Sequence, residues 1–468
     1  MHMTLLRSAP RWTRASRFVA RVAVASATVT LGACNLFETD VTNPNAVVES
    51  ALNDPSGGTT LVNGLGASLT RAHNQIVGTT GAASDELTWS GSREYWKLLD
   101  EGDIADPVNE YVDGQYPYVS EARWMADYTV AKLEGFGANI RNRADLARAY
   151  TYAGMIYMLI GENYEDFIIA SDRQKNAAPL GEQAFPVVFD SSIAYLTKAI
   201  NLSRTIGSAE WERNALGLRA RARFGKALIS RFRPARNPGT QAAPYLVNDA
   251  GASADAAAAL ALMPATYRFQ LSSNPQNNGG YFSTGFEIVQ RLEIRIGNEY
   301  ANLNPAATRP LDGLDGVKLV DPVSGQKDPV IARGIDECCR LSTGQFLSLT
   351  ATSAAEMHLI LAEAALAAGN TAQFTTHINN LRALNGVPAW SAASGVSALA
   401  VLKHGRRVNL FMQGRRLVDH HRFGDKADRW LPTSVAYRKA CFYPISYNER
   451  LQNPLAPQPA VARAANCS

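Results

Sequence analysis

LAEAALAAGNTAQFTTHINNLR, residues 361–382, contains two helical patterns on either side of a Gly369-Asn370 pair. Glycine followed by asparagine is typical of a tight turn, because both residues tolerate the left-handed backbone conformations that end a helix. Ala362 and Ala365 in the first pattern are small enough to let the two helices lie close together. The stretch therefore predicts a helical hairpin.

Similar patterns occur elsewhere in the chain. In residues 145–166, apolar side chains recur at steps of three and four, which is the spacing of one helix face. Further helices are predicted in 189–204, 211–232, 354–384 and 396–424. Each helix pair needs neighbours to cover its apolar face, so we predict a mainly α fold on a tetratricopeptide-like helical-repeat scaffold. Periodicity alone leaves the repeat type open, because insertions interrupt the period of roughly 34 residues.

A long segment between the predicted repeats lacks helical periodicity and is rich in proline, glycine and asparagine. More than a hundred residues are too many for an ordinary loop, which favours short elements and functional surface. We therefore expect helical repeats at about 120–235 and 353–425, and a large irregular, loop-rich insertion at about 236–345 that faces a ligand or partner.

The first 33 residues resemble an export signal. They contain five arginines and no Asp, Glu or Lys, and the apolar stretch VAVASATVTL follows Arg21. Leu31-Gly32-Ala33 then precedes Cys34 in an arrangement similar to the bacterial lipobox, and a cysteine thiolate is the nucleophile that lipidation requires. We expect a lipoprotein signal peptide at 1–33, a lipid on Cys34 and one mature domain at 34–468. No later stretch is long and apolar enough to span a bilayer.

Charge and cysteine content restrict the function further. The whole chain carries a net charge of +4, less than its five leader arginines supply, so the mature chain is slightly acidic and nucleic-acid binding is not expected. Besides the expected lipidated Cys34, the mature chain has four cysteines, Cys338, Cys339, Cys441 and Cys467, which allow three pairings. Because a bond between the adjacent Cys338 and Cys339 would close a strained ring, we expect a Cys441–Cys467 disulfide.

Catalytic motifs are absent from the sequence. It has no HExxH, GxSxG or CxxC motif, and Gly225-Lys226 lacks the upstream glycine of a phosphate loop. His420 and His421 would point about 100° apart on a helix, which disfavours a shared metal. Four aspartates of the insertion fit no EF-hand spacing: Asp312, Asp315, Asp321 and Asp328. We therefore expect no enzyme, no metal site and no cofactor.

Aromatic side chains are concentrated in the irregular parts of the chain. Flat rings beside charges and amides can stack on sugar rings while their neighbours bond hydroxyls. The alternative is that these rings pack in the core under long loops. The predicted ligand-binding residues are Trp89, Arg93, Tyr95, Trp96, Tyr281 and Phe282.

Several stretches, in order along the chain, resemble the SusD/RagB family of surface lipoproteins. They are SDEL at 84–87, RWMADYTVAKL at 123–133, EMHLILAEAALAAGN at 356–370, INNLRALNGVP at 378–388, RRVNLFMQGRRLVDHHRFG at 406–424 and FYPISYNERLQNP at 442–454. The resemblance implies an outer-membrane protein, lipid-anchored at the cell surface. It would bind a nutrient, commonly a glycan, and deliver it to a SusC-like TonB-dependent barrel. The alternative is a helical-repeat lipoprotein scaffold in envelope assembly, without a small ligand.

The chain departs from the family motifs at three positions. Asn409 and Gln413 stand where the signature helix has glutamates, and Ser446 replaces the second proline of the closing motif. The arginines around this helix must then find other acceptors, and we expect backbone carbonyls at helix ends. These arginines are Arg406, Arg407, Arg415, Arg416 and Arg422.

Overall fold

The computed structural model describes residues 52–171, 176–232, 245–275, 283–301, 316–339 and 344–456. Four residues of the predictions lie outside these ranges: Cys34, Tyr281, Phe282 and Cys467. Among the described residues, no helix combines the length and the apolar composition that crossing a bilayer requires.

The mainly helical fold predicted from the sequence is confirmed. The helices are α1 (Gly58–Ala82), α2 (Glu94–Asp100), α3 (Glu110–Phe136), α4 (Arg143–Asn163), α5 (Val187–Ile206), α6 (Ala209–Phe232), α7 (Ala250–Leu262), α8 (Thr284–Val289), α9 (Pro329–Cys339), α10 (Ala354–Ala367), α11 (Thr371–Asn385), α12 (Ala398–Asn409), α13 (Arg416–Phe423), α14 (Val435–Arg438) and α15 (Tyr447–Gln452). Four short strands accompany them: β1 (Leu87–Trp89), β2 (Arg268–Leu271), β3 (Ile294–Ile296) and β4 (Leu349–Ser353).

Successive helices from α3 to α7 pack against one another, and α10 continues the array by contacting α7 and α11. Small residues make the closest approaches possible. A Cβ atom at Gly154 of α4 would lie 2.4 Å from Cγ of Leu196 in α5. At the same contact the hydroxyl of Ser192 donates to the carbonyl oxygen of Gly154 at 2.7 Å. This arrangement is compatible with the predicted tetratricopeptide-like scaffold.

The hairpin at 361–382 forms as predicted. Helix α10 ends before Gly369, which has a φ of +70°, and the Asn370 side chain accepts from the backbone N–H of Gln373 to cap α11. A glycine is favoured at 369 because this backbone conformation strains other residues. Phe374 is fully buried and meets Trp390 edge to face, with ring centroids 5.1 Å apart. The hairpin thus has its own small apolar core.

The structure differs from the predicted helices in three places. The pattern at 396–424 is not one helix, because a turn that includes Met412 at a φ of +55° separates α12 from α13. The predicted insertion contributes α7, whose buried alanines pack against α6 and α10 and extend the scaffold. Helix α1 was not predicted, because it is buried around most of its circumference and so lacks a clear polar face.

Two antiparallel strand pairs join distant parts of the chain. Strand β1 pairs with β3, with Trp89 opposite Ile294. Strand β2 pairs with β4, and the register shifts between Phe269 and Gln270. The insertion is therefore held to the N-terminal region at one pair and to the start of α10 at the other.

The cysteine prediction needs one correction. Cys338 and Cys339 are bonded to each other, although a strained ring was expected to prevent this. The pair occupies the last two residues of α9. Cys441 is buried and disulfide-bonded. Its pairing with Cys467 stays a prediction, since Cys467 lies outside the described residues.

Candidate functional site

A buried network of arginines and carboxylates fixes the α12–α13 region to the rest of the fold. Asp85 accepts from Arg416 Nε and Nη2 at 2.7 Å each, and from Arg407 Nη2 at 2.9 Å. Burial alone would raise the pKa of Asp85, but Arg416 and its neighbours hold that pKa well below its usual range. These hydrogen bonds hold the N-terminal SDEL stretch against α12 and α13.

The remaining arginines of this region also bind carboxylates. Arg406 and Arg422 donate to Asp419 at 2.8 and 2.7 Å, and these two guanidinium groups bring the pKa of the buried Asp419 to about 2. Arg422 also binds Glu363, and Arg415 donates to Glu356 at 2.9 Å. The expectation that backbone carbonyls would replace the missing glutamates is therefore wrong for the principal acceptors, which are carboxylates: Asp419 from the same region, and Asp85, Glu356 and Glu363 from distant positions in the sequence.

The predicted ligand residues of the N-terminal region fall into two groups. Trp89 at the end of β1 is half-buried, with Lys97 Nζ 5.9 Å from its ring centroid. Tyr95 is 38% exposed, and the partly exposed Arg93 binds Glu110 at 2.7 Å. These three side chains lie in the short segment 89–95 and all keep solvent-accessible area, and we call them the aromatic surface.

Trp96 lies in the core and not on this surface. It is 4% exposed and stacks on Tyr111 with ring centroids 3.7 Å apart, and its Nε1 donates to Glu287 at 3.4 Å. A ring covered in this way has no free face for a ligand. The prediction that Trp96 binds ligand is thus corrected, and the alternative interpretation of a core ring holds at this position.

Glu293 shapes the loop that carries the aromatic surface. Its carboxylate accepts from the backbone N–H groups of Ser92 and Arg93 at 2.8 and 2.9 Å, and from the Ser92 hydroxyl at 3.0 Å. Although partial burial acts in the opposite direction, these hydrogen bonds lower the pKa of Glu293. A Cβ atom at Gly91 would lie 2.6 Å from the backbone Cα of Glu293, so only glycine fits there. The loop is preorganised by its own contacts.

Tyr281 and Phe282 lie outside the described residues, so their part in the site stays a prediction. The next residue, Ser283, caps α8 by accepting from the N–H of Phe286 at 3.1 Å. Helix α8 is fixed to α1, where Thr284 donates to the carbonyl of Asn74 at 2.6 Å. Its Glu287 is buried and accepts a hydrogen bond from Nε1 of Trp96, which is also buried.

Only one group of described residues has the geometry of a metal cluster. Ligand atoms of Asp321, Asp328 and His404 lie within 4.8 Å of one another. Both oxygens of Asp321, however, accept from Arg382, at 2.7 and 2.9 Å. His404 Nε2 lies 2.8 Å from Asp328. A guanidinium beside the carboxylates opposes a cation, so we interpret this cluster as an ion-pair link between the insertion and α11.

His420 and His421 are also structural. Both are buried against Trp430, with ring centroids 5.2 and 5.5 Å from it. Burial lowers the pKa of His421 to about 3, which keeps that ring neutral. The pair is part of the core.

The sequence did not reveal a cavity of about 510 Å³ lined by β2, β4, α9 and the turn after α12. Its wall includes Asn409 and Gln413, the two amides at positions where the resembling family has glutamates. Those two departures were the only sequence signal for it. The cavity shares no residue with the aromatic surface.

Comparison with known proteins identifies the fold. The model of the SusD family matches residues 354–457, from the start of α10 past the end of α15. A SusD superfamily protein from Bacteroides thetaiotaomicron VPI-5482 superposes with a TM-score of 0.60 at 13% identity, over 86% of this chain and 99% of its own. Another SusD superfamily protein, from Bacteroides vulgatus ATCC 8482, gives 0.54 at 14% identity over 87% and 98%.

A third structure, from Bacteroides vulgatus ATCC 8482, is named for an inferred sugar-binding role. It gives a TM-score of 0.59 at 14% identity, over 86% of this chain and 98% of its own. No curated protein matches the chain. The resemblance indicated by the sequence motifs is therefore confirmed, and at these identities the structures establish the fold alone.

Proposed function

We propose that this chain, which resembles the SusD family in its C-terminal sequence and in its fold, is a surface lipoprotein that binds a glycan nutrient and delivers it to a TonB-dependent transporter. The observation that carries the proposal is the extent of the shared fold. Nearly the whole of each related structure superposes on most of this chain, which supports a common scaffold.

The aromatic surface supplies the chemistry for a glycan. Trp89 and Tyr95 offer ring faces for the apolar side of a pyranose, and Arg93 offers N–H donors for hydroxyls beside them. The loop that carries Arg93 is held by Glu293, so little conformational freedom is lost when a ligand binds. Tyr281 and Phe282 of the insertion would add further rings.

The same surface is arranged for binding and not for catalysis. Of the carboxylates next to it, Glu293 accepts three hydrogen bonds from the loop, and Glu110 is paired with Arg93. Hydrolysis of a glycosidic bond requires two carboxyl groups that flank the bond and can exchange protons. These two carboxylates are engaged by the protein itself, and a third, Asp100, is fully buried and accepts from the N–H of Trp89 at 3.0 Å, which supports a binder over an enzyme.

Delivery requires a partner, because a binding protein has neither a channel nor an energy source. A lipid on Cys34 would confine the chain to the outer membrane at the cell surface, which raises its effective concentration beside a transporter. We propose that the partner is a SusC-like TonB-dependent barrel. In this arrangement the insertion and the aromatic surface face the barrel, and the helical scaffold forms the rigid frame.

Two experiments test the proposal. The purified mature chain is screened by calorimetry against a panel of neutral and acidic oligosaccharides and short peptides, and saturable binding of a glycan without turnover is expected. The tagged protein is then isolated from its native membrane in mild detergent and analysed by mass spectrometry, which should recover a large barrel in equal amount. Recovery of assembly factors alone, with no ligand found in the panel, would instead support the envelope-assembly scaffold.

A further inference from the structure

Two histidines face each other across the α10–α11 hairpin. His358 lies on α10 and His377 on α11, and their Nδ1 atoms are 3.4 Å apart. The ring centroids are 5.7 Å apart, and the ring planes make an angle of 44°. Because 19 residues separate the two histidines and each belongs to a different helix, no local motif of the sequence indicated the pair. The fold brings these two nitrogen atoms together.

The separation of the two nitrogens suits a shared metal ion better than a hydrogen bond. Hydrogen bonds from N–H groups usually span roughly 2.7–3.2 Å between the heavy atoms, and the 3.4 Å between these Nδ1 atoms is longer. Zinc binds imidazole nitrogens at about 2.0–2.1 Å in a tetrahedron, which places two such ligands about 3.3–3.4 Å from each other. The two Nδ1 atoms therefore have the separation of two corners of a zinc tetrahedron.

Both rings are held in the neutral form that a metal ligand requires. Burial, together with the neighbouring His377 ring, lowers the pKa of His358 to about 4. Burial also lowers the pKa of His377. No arginine or lysine among the described residues contributes to either pKa shift, whereas Arg382 binds the aspartate of the other cluster. A cation between the two rings would therefore meet lone pairs without an opposing positive charge.

The hairpin fixes both histidines and leaves them partly exposed to solvent. His358 is followed by the fully buried Leu359, and His377 is followed by Ile378, which is 1% exposed. These two apolar side chains belong to the small core of the hairpin, together with Phe374. The backbone positions of both ligands are thus set before an ion arrives, and the partly exposed rings give the ion a route from solvent.

We propose that His358 and His377 bind a divalent transition-metal ion of the zinc class through their Nδ1 atoms. The ion takes the place of the proton that lies between the two nitrogens, and this proton moves to Nε2 of the same ring. Water completes the tetrahedron, because no third protein ligand joins the pair among the described residues. The bound ion links α10 to α11, and the site uses no residue of the aromatic surface.

The first test titrates the mature chain with zinc chloride. The chain carries no histidine tag, has been treated with a chelator and is labelled with ¹⁵N in its imidazole rings. We expect the Nδ1 signals of two rings to shift, and the variants His358→Gln and His377→Gln assign them. Zinc should also raise the thermal midpoint, because it binds the folded hairpin. A large excess of Mg²⁺ or Ca²⁺ should do neither, since these ions prefer oxygen ligands.

The second test measures zinc affinity by calorimetry in matched variants. His358→Gln and His377→Gln should each weaken zinc binding about tenfold or more, because loss of even an outer-shell partner of a metal commonly costs about 10–100-fold. The control His404→Gln removes the histidine of the Asp321 cluster and should leave zinc affinity unchanged. The ¹⁵N titration uses the wild-type chain, so it tests the proposal even if a variant fails to fold.

Absence of saturable zinc binding to the wild type would overturn the proposal, as would ¹⁵N shifts confined to other histidines. Equal zinc affinity of the His358→Gln protein and the wild type would also overturn it. Loss of zinc binding in the His404→Gln protein alone would place the ion at the Asp321 cluster instead. Glycan binding in the oligosaccharide panel is measured separately, so failure of the zinc site leaves the proposed function intact.

Discussion

Loss of the Asp85 carboxylate should lower the stability of the fold by releasing the N-terminal SDEL stretch from α12 and α13. It is buried, and its two oxygens accept three hydrogen bonds from Arg416 and Arg407. Asp85→Asn keeps the size of the side chain but replaces one acceptor with an NH₂ group that faces a guanidinium. The buried Arg416 and the half-buried Arg407 then lose that counter-charge.

We expect Asp85→Asn to lower the free energy of unfolding strongly, because the ion pair between Asp85 and Arg416 is buried. Removal of one partner from a buried ion pair destabilises a protein by about 3–5 kcal/mol, against about 1 kcal/mol or less for an exposed pair. The measurement is urea denaturation at pH 7 of Asp85→Asn beside the control Glu110→Gln, which breaks the exposed pair with Arg93. A free energy of unfolding for Asp85→Asn within 1 kcal/mol of the control would refute this account of how the N-terminal stretch is held.

Three further predictions concern the pH dependence of stability, the affinity for glycans and the attachment to the membrane. Burial raises the pKa of Glu86 from 4.5 to about 8, so the native state holds a proton that the unfolded state releases, and the contribution of this group to stability falls as pH rises between about 5 and 8. Glu86→Gln should flatten that fall in thermal melts across this window, and an unchanged slope would contradict the assignment. Trp89→Ala and Tyr95→Ala should each weaken glycan binding about fivefold or more, whereas the controls Trp124→Ala and Tyr437→Ala should leave affinity unaltered. The thermal midpoint should stay nearly unchanged for the exposed Tyr95 and fall for Trp89, which packs partly on the core. Tyr437, 36% exposed, matches Tyr95 in exposure. Cys34→Ala should release the protein from the membrane in fractionation, and the mature wild type should lack the mass of residues 1–33; retention of the variant after an alkaline wash would argue for another anchor.

The local patterns of the sequence were enough to predict the hairpin at 361–382, because its turn residues and its small interface residues act on each other over a short distance. Local sequence patterns could not predict two other features. Helix α1 is buried on nearly all sides, and its sequence therefore lacks the alternation of apolar and polar faces. The break between α12 and α13 depends on Glu86, which accepts from the N–H of Met412 at 3.0 Å across more than 300 residues.

In the candidate site, too, local sequence patterns predict some features and distant residues determine others. Trp89 and Trp96 are seven residues apart in one aromatic stretch, and nothing local distinguishes them. Their different exposure comes from Tyr111 and Glu287, which cover Trp96 and are brought to it by other helices. Composition could therefore indicate an aromatic region, but only tertiary packing decides which of its rings a ligand can reach.

The surroundings of positions 409 and 413 explain why amides can replace the two glutamates of the signature helix. The nearby arginines do not lack acceptors, since Asp85, Glu356 and Glu363 are supplied by other parts of the chain. Positions 409 and 413 are thereby released from ion pairing and line the cavity. A carboxylate at 413 would place a negative charge in buried, partly apolar surroundings, which is unfavourable. The neutral amide avoids that charge, and its Nε2 donates to the carbonyl oxygen of Asn409 at 2.8 Å.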